Sequence, residues 1–255
     1  MVLSNKVYYW KGDFKRLPVK SGGNHPLCSH GVGLVPLLLI YLSSLVGPIL
    51  VMVLPSQVLG WSNAIQSSRL YILGTLGQSL MDLPALIMFF RIRYYAKGGD
   101  SLSVHARSAG IGLVGAAVFA GLRIAMFGEL MGGQFMGGVP AFSQSLSLDS
   151  PWHVLSVGAA LLAYGPGEAI FVVAFIRAFD AALDCEERVM SWGLGITAFL
   201  WALPHVINVF YIGWRALSNV VIMVFMGLLM GLLWKGTRSS WGPIVFWTLV
   251  NGTSI

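Results

Sequence analysis

From residue 31 onward the chain alternates long apolar runs with short polar connections. A helix that crosses a bilayer needs about 20 mostly apolar residues. On that length the pattern predicts spans at 31–55, 68–90, 108–131, 152–176, 190–212, 216–234 and 239–255. The predicted fold class is therefore all-α, a polytopic transmembrane helix bundle of seven spans, or eight if a re-entrant or interfacial helix is added. Residues 1–30 carry Lys6, Lys11, Lys15, Arg16 and Lys20 with no early apolar run. A cleavable signal peptide has its apolar stretch close to the start, so a basic tail followed by an uncleaved anchor is expected. The predicted organisation is a tail over 1–30, spans 1–3 with an outer loop over 31–151, and spans 4–7 over 152–255.

Composition narrows this further. Hydrophobic residues make up 56% of the 255 and charged residues 10%, where a soluble domain carries about 25% charged. That excludes a soluble globular enzyme and a disordered chain. The net charge of +6 is too thinly spread for a nucleic-acid-binding face, and its use is to orient the spans. Thirteen of the sixteen Lys and Arg fall in the tail and in the 91–107, 177–189 and 235–238 loops. Cytoplasmic loops collect Lys and Arg, so the chain is expected to be an integral, multi-pass protein with a cytoplasmic N-terminus and an outside C-terminus. The lipid bilayer is its first partner. The 177–189 segment, with Asp180, Asp184, Glu186 and Glu187, is read as a helical extension or interfacial helix with a solvated acidic face. Cys28 and Cys185 form neither a ligand cluster nor a disulfide framework.

A charge at membrane depth costs about 2.5–3.5 kcal/mol or more, which makes each one a functional candidate. Asp82, Arg123, Glu129, Glu168 and His205 fall inside the predicted spans. Asp82 and Arg123 suit a structural intramembrane ion pair between spans 2 and 3, with Glu129 near the outer surface, because an unpartnered buried charge is costly. A proton or ion path is the alternative. Glu168 in AYGPGEA and His205 in WALPHV each have a proline within two residues, Pro166 and Pro204. Proline frees backbone carbonyls and kinks a span where a cavity or a neighbouring helix satisfies them. A carboxylate and an imidazole in such a cavity are equipped for general-base chemistry, or else are hydrogen-bonded core groups. Asn251 is suited to donate to an oxyanion or to bond between helices. Gly227 and Gly231 mark tight packing of span 6 within the bundle.

From Gly165 onward the order of these motifs resembles the CPBP family of CAAX-protease and bacteriocin-processing intramembrane proteases. In that resemblance Glu168 of GPGEAIFVV takes the first position of a Glu-Glu-x-x-x-Arg motif. Ala169 and Val173 stand where the second Glu and the Arg are expected. Trp201 and His205 match an aromatic-x-x-x-His motif. The segment ending VFWTLVN, after the Lys-Gly-Thr-Arg turn, resembles the closing His-x-x-x-Asn, with Asn251 matching and Trp247 in place of the histidine. The resemblance covers roughly residues 160–253, so spans 4–7 are the CPBP-like part.

The resemblance implies an intramembrane endopeptidase that acts on a membrane-anchored or prenylated protein or peptide through a water activated by Glu168 and His205. Asn251, Trp247 and Trp201 would line the site. One carboxylate and one imidazole fall short of the three protein ligands of a catalytic zinc, so no metal and no other cofactor is expected. The tail NGTSI carries no lipidation motif, which casts the chain as processor rather than substrate. The departures at Ala169, Val173 and Trp247 support an alternative: a catalytically inactive member serving as scaffold, chaperone or accessory subunit of a membrane complex. A transporter lacks the inverted repeat that would support it. With about 1.5 Å of rise per residue, His205 is expected about 10 Å deeper in the bundle than Glu168, beyond hydrogen-bond reach unless the kinks at Pro166 and Pro204 close the gap.

Overall fold

The computed structural model describes residues 34–48, 79–88, 101–127, 162–183, 188–208, 214 and 216–253, all within the unit Val32–Ile255. Seven α-helices run through them, and no strand occurs among the described residues. They are α1 (Leu34–Pro48), α2 (Ser79–Met88), α3 (Leu102–Phe127), α4 (Glu168–Ala182), α5 (Trp192–Ala202), α6 (Ala216–Thr237) and α7 (Trp241–Thr253). Each overlaps one of the predicted apolar runs. Among the described residues two helices are long and apolar enough to cross a membrane, over Leu102–Met126 in α3 and Leu217–Thr237 in α6. The basic tail, Glu129, the 132–151 loop, both cysteines and the acidic run 184–187 lie outside the described residues.

α4 is the hub, touching α1, α5, α6 and α7. Its sequence EAIFVVAFIRAFDAA is apolar on nearly all sides, and a helix of that kind is buried all round. Residues 171–176 and Phe179 are buried. Phe171, Phe175 and Phe179, four apart and so on one face, stack with ring centroids 4.6 and 6.0 Å apart. Tyr41 of α1 meets the edge of Phe175 and donates its hydroxyl to the Leu200 carbonyl of α5 at 2.7 Å.

α3 leans on α7 through small residues. Ser108, Gly112 and Ala116, one per turn, are buried, and a Cβ on Gly112 would lie 2.3 Å from the Gly242 carbonyl oxygen. Backbones approach this closely only where side chains are absent, the usual economy of helix packing in lipid. The opposite side of α3 exposes Leu113, Val114, Val118 and Leu122. In α6, Gly231 faces Leu194 and Ile176, and Gly227 faces Ala198 and Trp201. The pair packs inside the bundle, as the sequence suggested.

Helix ends depart from the predicted spans, with consequences for charge. α3 starts at Leu102, where Ser101 accepts the amides of Val104 and His105 at 2.9 and 3.3 Å, so Arg107 sits on helix rather than loop. Hydropathy marks the apolar part of a helix, not its polar continuation. α4 likewise continues to Ala182, and Asp180 is buried rather than on a solvated face. It pairs with Lys235, a charge assigned above to a loop but buried in the last turn of α6. Lys235 also donates to the Arg188 carbonyl at 2.9 Å. Gly193 makes the room, since a Cβ there would lie 2.3 Å from Asp180 Oδ1. Burial of both charges is sustained by their pairing and by the extra hydrogen bond.

Candidate active site

The two proline positions are where the helices change winding. Pro166 has no N–H and cannot join an α-helical ladder. Ala163–Gly167 accordingly forms a π turn, and the Glu168 N–H reaches back five residues to the Ala163 carbonyl. Such turns recur at functional sites. The flanking glycines are set by contact: a Cβ on Gly165 would fall 2.4 Å from Thr248 Oγ1 of α7, and one on Gly167 2.4 Å from Asp82 Oδ2 of α2. Pro204 sits in the 3₁₀ segment Leu203–Asn208, which extends α5 and carries His205.

Glu168, at the start of α4, is buried and accepts the indole Nε1–H of Trp247 on Oε2. Trp247 packs edge-on against Trp201, with centroids 5.1 Å apart and planes at 80°. Trp201 in turn meets the His205 ring at 6.0 Å and 62°. Half-buried His205 has Nδ1 3.3 Å from the Ala202 carbonyl oxygen. Two indoles thus stand between the carboxylate and the imidazole. Asn251, one turn beyond Trp247, donates Nδ2–H to the Tyr164 carbonyl in the π turn.

Residues 149–253 match the family model of the type II CAAX prenyl endopeptidase, Rce1-like. Over that segment the chain is similar to the Rce1-like family. The resemblance drawn from the motifs therefore holds over that segment and begins somewhat earlier than the motifs alone indicated. No curated protein and no solved structure matches the chain.

Within the Rce1-like segment, Ala169 and Val173 are fully buried in the apolar core beside Phe171 and Phe175. The positions expected to hold a charged pair have become packing. Trp247, where a histidine was expected, is aimed at the candidate base itself. Among the described residues no three His, Cys, Asp or Glu side chains gather to hold a metal ion. The donors at the site, one carboxylate and one imidazole, do not fit the three-ligand catalytic zinc pattern.

Asp82 and Arg123, which the sequence pairs across spans 2 and 3, are both buried. The sequence reading did not find the approach of Asp82 to Gly167, the residue before Glu168. Its signal was the second glycine of Gly-Pro-Gly, which a turn alone would not require.

Proposed function

We propose that this protein is an intramembrane endopeptidase that cleaves a membrane-associated or prenylated protein or peptide. One observation carries the reading: inside an Rce1-like segment, the motif residues of α4, α5 and α7 join in one contact series, Glu168 to Trp247 to Trp201 to His205. Trp247 occupies Oε2 of Glu168, which leaves Oε1 to take a proton from water. The water oxygen then bonds to the scissile carbonyl carbon. As the tetrahedral species collapses, the C–N bond breaks and the proton passes from Glu168 to the departing amine. His205 acts on the base through the two indoles that stand between them, by fixing Trp201 and so Trp247, and the second amide N–H of Asn251, beside the one given to Tyr164, is the donor for the oxyanion. The protein is a multi-pass bundle with its N-terminus in the cytoplasm, the arrangement that the loop charges support, and Asp82 and Arg123 form an ion pair between its second and third spans.

A second reading, an inactive member acting as scaffold, chaperone or accessory subunit, is favoured by the same Trp247 bond, which engages the base, and by the loss of charge at Ala169 and Val173. The deciding experiment is cleavage of a panel of prenylated peptides by the purified protein in lipid, with Glu168→Gln beside it. The endopeptidase reading expects cleavage by the unmodified protein and none by Glu168→Gln. Equal cleavage by both would remove Glu168 as the base.

A further inference from the structure

Resting on the endopeptidase reading, we propose that Asp82 is a positioning residue of the site: its carboxylate, pressed on Gly167 from α2, fixes the π turn from which Glu168 projects. Asp82 lies outside the Rce1-like segment, so the site would draw on the N-terminal part of the chain as well.

The first support is geometric. A Cβ on Gly167 would lie 2.4 Å from Asp82 Oδ2 and 3.2 Å from its Cγ. The carboxylate therefore rests directly on the backbone of the residue joining the π turn to α4. The second support is mechanical. A π turn containing a proline lacks that residue's N–H, so contacts from outside add to the backbone bonds it keeps. Among the described residues, three of the outside groups that meet it are the Asn251 amide on the Tyr164 carbonyl, Thr248 against Gly165, and Asp82 against Gly167. The first two come from α7 and grip the start of the turn. Asp82 alone of the three meets its end, one residue from the candidate base. The third support is energetic. Asp82 is 1% exposed, and burying a carboxylate costs several kcal/mol. The next turn of α4 on the face of Glu168 carries Phe171 and Val172, both buried and apolar, so Glu168 has no charged neighbour there. A general base acts only within hydrogen-bond reach of the proton it takes, so what seats the turn sets the rate.

The test reads the site through Trp247, whose indole N–H reports where the Glu168 carboxylate lies. In the full chain, labelled with nitrogen-15 tryptophan and held in lipid nanodiscs, Trp247→Phe assigns the Trp247 indole resonance, and Glu168→Gln gives the displacement caused by altering its acceptor. Asp82→Asn and Asp82→Ala are expected to displace the same resonance while that of Trp234, beside Lys235, stays in place. A Trp247 resonance unmoved in both variants overturns the proposal. So does one that moves together with Trp234, or failure of both variants to fold, since each makes Asp82 a support of the whole bundle. In the cleavage assay Asp82→Asn is expected to lower kcat by up to about a hundredfold, the cost of a misplaced group, with KM changed by less than about twofold. If the unmodified protein cleaves no peptide, the endopeptidase reading falls while the indole displacement still decides the positioning.

Discussion

Trp247 donates its indole N–H to the carboxylate of Glu168, tying α7 to α4 at the position where the related motif carries a histidine. Trp247 is 1% exposed and Glu168 7%, so the bond lies inside the bundle. The bond does two things at once. It satisfies a buried carboxylate oxygen, and it fixes that oxygen against Trp247, whose ring packs on Trp201.

Trp247→Phe keeps an aromatic ring against Trp201 and removes only the donor. Leaving a buried acceptor unsatisfied costs about 1–3 kcal/mol, and more for a charged one. Thermal unfolding in lipid should show this loss. In a Glu168→Gln background the loss should shrink, because the acceptor is no longer a carboxylate. Additive losses in the double variant would mean that the two side chains do not interact.

The Lys235–Asp180 pair joins the last turn of α6 to the end of α4. Lys235→Met leaves Asp180 buried without its partner, at a cost of about 3–5 kcal/mol. Lys235→Met combined with Asp180→Leu should recover most of that, because an apolar pair can replace a buried ion pair at little cost. The recovery is measured as unfolding temperature or folded yield. A single variant as stable as the unmodified protein would show that the pair contributes nothing.

The loop charges predict sidedness. Single cysteines at Lys11, Lys97 and Arg238, in a background where Cys28 and Cys185 are serine, should react with a membrane-impermeant thiol reagent from the cytoplasmic side. A cysteine at Asp149 should react from the outside. Outside labelling of two of the first three sinks the seven-span arrangement.

Much of the site was legible in the chain because proline and glycine are read locally. Pro166 and Pro204 coincide with the π turn and the 3₁₀ segment, since a residue without an N–H leaves a ladder bond unmade, whereas Pro84 sits inside α2 with no change of winding. Glu168, Trp201, His205 and Asn251 were found because apolar runs make polar residues conspicuous. Asp180 and Lys235 were misplaced for the converse reason: at the end of an apolar run, sequence alone does not separate a solvated charge from one whose partner lies on another helix. Asp82 was read only toward Arg123 because nothing along the chain records which helix face meets Gly167.

The sequence by itself determined that the protein is helical and where most of its helices run. A long apolar run has to bond its own backbone, and a helix does so with no reference to the rest of the chain. Only the tertiary structure decided which polar groups meet: Trp247 with Glu168, Asn251 with Tyr164 and Lys235 with Asp180, residues 79, 87 and 55 positions apart. Those meetings depend on how each helix is rotated and how closely its neighbour approaches. Rotation and approach are set by the summed fit of side chains around α4, to which no single stretch of sequence is sufficient.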